Sequence, residues 1–237
     1  MTDVLRIFIG YDHRQPISLN VLQSSIYRKA SKPVAIVPLV LSTLPIKRQG
    51  LTPFTYSRFL VPYLCGYQGW GLFLDADMIL MEDVAKLFDL ADDRYAAMVS
   101  KNKMAFEWAS AILFNCAKCE MLTPEFIETA PRLHDMSWLA PELVGELPNE
   151  WNHLVGYDAP RDEPKLIHYT QGVPAFQETL DSEHADKWFL EHQNMNFVTN
   201  WLELMGNSVH AAELPDGTRV PKYKAEQLIK AGQMQHA

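Results

Sequence analysis

The chain is short of cations: 21 Lys and Arg stand against 29 Asp and Glu in 237 residues, for a formal net charge of -8. A protein that grips a phosphate backbone presents an excess of basic residues on one face, so nucleic-acid binding is not expected. An anionic ligand would need local help, from a metal ion or from helix ends. Cysteine is scarce as well. The 3 cysteines cannot all pair within one chain, and Cys65 lies far in sequence from Cys116 and Cys119, which predicts reduced thiols. The C-x-x-C of "CAKC" is half a zinc site without a second ligand pair. It also lacks the place near the start of the fold that a redox motif takes, so it reads as small buried thiols. Long apolar runs are missing too. The longest, "VAIVPLVLSTLPI", is broken by Pro38 and Pro45 and falls short of the roughly 20 residues that cross a bilayer. "MTDVLRIFIG" enters a strand pattern directly, with no basic leader before it, so the expectation is a cytoplasmic protein with no signal peptide and no transmembrane segment. Repeats and low-complexity segments are absent.

What is present is a core: 48% of the residues are hydrophobic and 21% charged, enough for one full-sized domain. Leu5 to Ile9 is a β-branched and aromatic run ending at Gly10, and Pro16 is placed to begin a helix on which Ile17, Val21, Leu22 and Ile26 recur at helical spacing. Val34 to Val40 is the next apolar run. A β-α-β opening whose strands are apolar on both faces predicts a parallel sheet covered by helices. "YSRFLVPYL" reads as a helix interrupted near Pro62, Trp70 to Leu74 as the third strand, and Val84 to Leu90 as a short helix with Glu82 and Asp83 at its positive end. Tyr95 to Val99 and Ala111 to Phe114 read as strands, and Thr123 with Pro124 as a capped helix start. Leu166, Ile167 and His168 form a late strand. From Glu183 onward the pattern is helical, with "NFVTNWLELM" the most amphipathic stretch and the tail from Lys222 a further candidate helix.

The chemistry concentrates in "GLFLDADMIL". An unbroken apolar strand runs into Asp75 and Asp77, which in a straight strand share one face. Two carboxylates held together at the rim of a core repel each other unless a cation sits between them. Oxygen ligands suit magnesium or manganese, and a metal held by few protein groups keeps positions for substrate phosphates. The end of a central strand is where open α/β sheets bind ligands.

"YSRFLVPYL" followed by "GLFLDADMIL", then "SAILFN", "ELPNEWN" and "LIHYTQG" in that order, resembles the GT-A glycosyltransferases, specifically family 8, typified by glycogenin and bacterial galactosyltransferases. The likeness spans roughly Leu5 to Phe176. It implies an α/β fold with a Rossmann-like, mostly parallel central sheet flanked by helices, a catalytic domain over 1–180, and a helical C-terminal extension over 181–237 packed on it. The implied activity is metal-dependent, configuration-retaining transfer of a hexose from a nucleotide diphosphate sugar, UDP-glucose or UDP-galactose, to a carbohydrate, lipid or protein acceptor. Asp75, Asp77 and His168 are implied as ligands of Mn2+, with Mg2+ as the other choice, and imidazole favours manganese. Tyr11 is implied against the base, Asp12 at the nucleoside, and Arg58 at the diphosphate and donor sugar, where a guanidinium fork suits the oxygens.

The pattern departs from the family in places. Gly172 falls one place late, and Val173, Pro174 and Ala175 stand where the phosphate-clamping Lys is expected, leaving Lys101 or Lys103 as substitutes. Of the family's Asn-Ser-Gly only Ser110 matches. Asp135 and Glu142 are the candidates for the group beside the anomeric carbon, and Trp138 and Trp151 are candidate sugar platforms that equally read as packing. Two other classes compete: a haloacid-dehalogenase-type phosphatase using Asp75 and Asp77, and a non-catalytic nucleotide-sugar-binding protein.

Overall fold

The computed structural model describes residues 4–195 and 211–231. Strand β1 (Leu5–Gly10) leads into helix α1 (Pro16–Lys29), with Pro16 in its first turn, and β2 (Val34–Leu39) follows. The segment expected as one helix broken at Pro62 is a 3-10 turn, Ser57–Leu60, continued by a single helical turn, α2 (Val61–Leu64). Proline is thus the start of the α-helical turn rather than its interruption, because its fixed φ and missing N–H suit the first turn. Next come β3 (Trp70–Leu74), β4 (Met78–Leu80), and α3 (Val84–Phe88), whose N-cap Asp83 accepts from the Ala85 N–H at 2.9 Å. Then follow β5 (Ala97–Val99), β6 (Ala111–Asn115) and α4 (Pro124–Thr129), capped by Thr123. Strands β7 (Val144–Glu146), β8 (His153–Leu154) and β9 (Leu166–His168) precede α5 (Ala185–Met195).

The central sheet has the order β2-β1-β3-β6-β5-β7. Strands β2, β1 and β3 run parallel, β6 is antiparallel to both β3 and β5, and β7 runs parallel to β5. So five strands share one direction and β6 alone is reversed. Alternation builds two cores on the two faces. Ile7, Ile9, Leu72, Leu74 and Leu113 pack under α1 and α3, while Phe8, Phe73, Ile112 and Phe114 face Phe59, Leu60 and Ile127. Both faces are dry, as a mostly parallel sheet requires. A second sheet, β4-β9-β8, carries Ile79 and Ile167 against Val21, Tyr169 and Trp188.

Residues Met1–Met195 form one compact unit and Asn196–Ala237 another. The described part of the second is a hairpin of β10 (Ala211–Glu213) and β11 (Arg219–Pro221) followed by α6 (Lys222–Lys230). The amphipathic stretch "NFVTNWLELM" lies outside the described residues. Cys116 and Cys119 are fully buried free thiols, and Cys65 is a half-buried one, in keeping with the packing role expected of them.

Candidate active site

Strand β3 ends at Leu74, so Asp75 and Asp77 lie not along a straight strand but in the tight turn that joins β3 to β4. The turn is pinned from both sides: the Asp75 N–H donates to Ser110 O and the Tyr169 N–H to Asp77 O, each at 2.9 Å. His168 arrives opposite Met78 across the antiparallel β4–β9 pair. One side-chain donor atom from each of Asp75, Asp77 and His168 lies within 4.8 Å of the other two. The turn thus does what the straight-strand geometry was expected to do, and a residue more than ninety positions onward completes the group.

The cluster is electrostatically unfinished. Asp75 is 8% exposed and His168 2%. Burial pushes the Asp75 carboxyl up to about 7, the neighbouring Arg58 pulling it down and Asp77 adding to the rise. Burial alone would lower the His168 imidazole, but Asp77 and Asp75 outweigh it and the net shift is upward. Asp75 Oδ1, Asp77 Oδ1 and His168 Nδ1 are all buried without a hydrogen-bond partner. His168 Nε2 stands 3.4 Å from Asp77 Oδ1, and Arg58 Nη2 3.1 Å from Asp75 Oδ1, in charge contact but off the hydrogen-bond line. Orphaned acceptors of this kind cost about 1–3 kcal/mol each, more for charged groups. Two carboxylates and an imidazole are also a donor set that suits a divalent cation, manganese better than magnesium, so these residues fit a metal ion.

Arg58 is held in place by donating to Ala109 O at 2.7 Å, with its guanidinium 5.1 Å from the Phe73 ring centroid. Ser110 also lies here: its hydroxyl donates to Glu107 O at 2.6 Å and accepts from Asn152 Nδ2 at 2.9 Å. Glu107 and Asn152 were not singled out from sequence. Glu107 Oε2 is 4.0 Å from His168 Nδ1, and the Asn152 side chain ties "ELPNEWN" to "SAILFN". Only Asn152 carried a signal, its place in "ELPNEWN", because its contact with Ser110 spans 42 positions.

Tyr11 and Asp12 leave β1 at the same sheet edge as Asp75, because Ile9 pairs in parallel with Leu74. Tyr11 lines a cavity of about 640 Å3 with His13, Leu41, Leu44, Lys47 and Gln49. Asp12 is buried, and Arg14 grips both its oxygens, with Nε 2.9 Å from Oδ1 and Nη2 2.5 Å from Oδ2; that hydrogen bonding lowers its proton affinity.

Other expected residues are not members of the cluster. Gly172, at φ +110°, lines a separate cavity of about 360 Å3 with Asp158 and Glu183. Asp135 pairs with Arg132 and lines a third pocket with Trp108 and Leu139, and Glu142 is exposed in the turn Pro141–Leu143. Lys101 is tied to Val144 O at 2.7 Å. Trp151 is 1% exposed and Trp138 9%, the latter edge-on to Phe59, so both are packing residues and neither offers a face to a sugar ring.

A mostly parallel α/β sheet with an acidic turn after its third strand is the GT-A type of fold, and solved glycosyltransferases share it. The bifunctional glycosyltransferase WbbM matches with a TM-score of 0.65 and 16% identity over 82% of this chain, which spans 50% of the WbbM chain. GlyE of Streptococcus pneumoniae matches at 0.63 and 15%, over 95% of this chain and 73% of its own. The galactosyltransferase LgtC, solved with donor and acceptor sugar analogues, matches at 0.58 and 12%, over 80% of this chain and 96% of its own. In sequence, the chain belongs to the family of Protein CDI of Arabidopsis thaliana, to which it is 36% identical over 81% of its length and 87% of that protein's. No family model matches the chain. Among the described residues no helix is long and apolar enough to cross a membrane.

Proposed function

We propose that the protein is a metal-dependent, retaining glycosyltransferase that moves a hexose from a nucleotide diphosphate sugar, UDP-glucose or UDP-galactose, to a carbohydrate, lipid or protein acceptor. The observation that carries this reading is the convergence of Asp75, Asp77 and His168, with unpaired buried donor atoms, at the strand edge where Tyr11 also emerges. Asp75, Asp77 and His168 would hold Mn2+ or Mg2+, and a divalent ion there would neutralise the diphosphate as the glycosidic bond breaks.

The chain's own groups divide the remaining work. Arg58, fixed by Ala109 O and shielded by Phe73, presents a pre-oriented positive charge to diphosphate oxygens. The Tyr11 cavity has room for a base and ribose, and a nucleoside hydroxyl reaching Asp12 would share an oxygen that Arg14 now holds. Glu107 places a negative charge 4.0 Å from the outer nitrogen of His168, which would favour the charged imidazole. Asp135 and Glu142 remain the acids to substitute in search of the group at the anomeric centre, with Glu107 added because it contacts a member of the cluster. Ser110 and Gly172 complete the expected substrate contacts. The phosphatase reading is not favoured: β1, α1 and β2 precede the acidic strand, whereas that motif belongs on a first strand.

The test is a thermal-shift series with UDP, UDP-glucose and UDP-galactose, with and without Mn2+. A ligand bound by the folded state alone raises the melting temperature, by about 2.7 kcal/mol of stabilisation at one hundred times its Kd. The expected result is a manganese-dependent shift that disappears in Asp75→Asn/Asp77→Asn. An equal shift in the double variant would end the proposal.

A further inference from the structure

Two imidazoles and a carboxylate meet at a second place. His153, on β8 and 1% exposed, has Nε2 3.1 Å from Glu183 Oε1, and His184 Nε2 stands 3.1 Å from that same oxygen. One ligand atom from each of His153, Glu183 and His184 lies within 4.8 Å of the others.

The hydrogen bonds present, His153 Nε2 with Glu183 Oε1 and His184 Nε2 with Arg161 O, leave the 3.1 Å approach of His184 Nε2 to Glu183 Oε1 without a proton of its own. His184 Nε2 is also 2.9 Å from Arg161 O, so a nitrogen with at most one hydrogen faces two acceptor oxygens. Glu183 Oε1 in turn receives the Arg161 N–H at 3.1 Å besides facing both rings. His184 itself sits at φ +61°, an uncommon conformation for a residue with a Cβ, and this places its ring against His153, with centroids 5.7 Å apart. On the far side of His153, Asp158 Oδ2 lies 3.8 Å from Nδ1. That oxygen accepts the Leu154 N–H at 2.9 Å, so toward His153 it is in charge contact and not in hydrogen-bond contact.

We propose that His153, Glu183 and His184 form a second cation site, structural in role, that takes zinc. Two imidazole nitrogens and one carboxylate oxygen are a zinc donor set; ligand bonds of about 2.0–2.1 Å set neighbouring donor atoms a little over about 3 Å apart, close to the 3.1 Å between each imidazole and Glu183. The Arg161 carbonyl or a water supplies the fourth position. This site differs from the oxygen-richer Asp75, Asp77 and His168 group in chemistry and in face. His153 lies opposite Ile167 in the β8–β9 register, so His168, the next residue on β9, points to the other side of the small sheet. Zinc would staple β8, the loop at Arg161 and the entry to α5 together behind the strand that carries His168.

The test uses the full chain, stripped with a chelator, in an Asp75→Asn/Asp77→Asn background so that the first cluster is disabled. Co2+, as a visible stand-in for zinc, is expected to bind at one equivalent with a ligand-field band, and Zn2+ to displace it. Glu183→Gln and His184→Gln, each with an unchanged metal-free circular dichroism spectrum and melt, are expected to weaken binding at least about tenfold. Should either variant fail to fold, the other gives the same reading, because Glu183 and His184 both lie at the partly exposed edge of the group. A missing band in the background protein, or a band unchanged in both Glu183→Gln and His184→Gln, would overturn the site.

Discussion

Asp75 sits where a carboxylate is costly, and that cost sets a measurable property. Its carboxyl, pushed up to about 7 chiefly by burial, is protonated in much of the metal-free protein below that pH. Metal binding must expel this proton, and that of the His168 imidazole whose affinity is also raised, so Mn2+ affinity is expected to fall by at least about tenfold for each pH unit below 7. Calorimetric titrations at pH 6, 7 and 8 check this, and an affinity flat across that range would contradict it. His134 carries the opposite kind of shift. Enclosed by Tyr56, Phe59 and Phe106, with Nε2 3.0 Å from Thr55 O, it is held to about 4, first by burial and then by Arg58. The unfolded chain takes up this proton near pH 6.5 and the folded chain does not. Stability is therefore fully present above 6.5 and drains away as pH falls toward 4, by about 1.4 kcal/mol per unit. Urea midpoints at pH 7 and pH 5 should differ less in His134→Gln than in the parent. At this scale Asp75, Asp77 and His168 were legible because residue type and motif order coincide. Glu107 and Asn152 were not, because an acid in "FEWAS" and an amide in "NEWN" look like ordinary loop residues until the fold brings them to Ser110.

The longer elements were legible because their apolar positions recur at a fixed period: β1, α1, β2, β3 and β6 fall within a residue or so of expectation. Strands β4, β7 and β8 have two or three residues each, too few for any period to register, and the β3–β4 turn that carries the acids is specified by its partners Ser110 and Tyr169. Gly10, the last residue of β1, shows how an element end is tied to the candidate site. A Cβ there would meet the Phe54 ring at 2.5 Å, and Phe54 lies beneath the Arg58 guanidinium, 5.6 Å from centroid to charge. Gly10→Ala is expected to cost about 1–3 kcal/mol from overpacking, and to weaken any UDP–Mn2+ shift by displacing Arg58. Chemical denaturation together with the ligand series separates the two effects. Unchanged values in both would show that Phe54 moves freely.

At the scale of the molecule, the three clusters of buried apolar side chains found among the described residues all lie between Leu5 and Met195. A chain ended after Met195 is therefore expected to keep a single cooperative melt, and loss of cooperativity in calorimetry would show that the core extends further. The sheet's one reversed strand has a consequence for how such a protein can diversify. Since β6 runs against β3 and pairs Ala111 with Leu74, it is the segment entering β6, not the one leaving it, that meets the acidic turn. Glu107 and Ser110 thus stand at the end of a connection that is fixed to the turn at Ser110, through the Asp75 N–H, while its earlier residues are not bonded to the turn. Evolution or design can vary residues 103–106 as a replaceable cassette, altering what lies beside the cluster, while Ala109 and Ser110 go on holding Arg58 and the Asp75 turn.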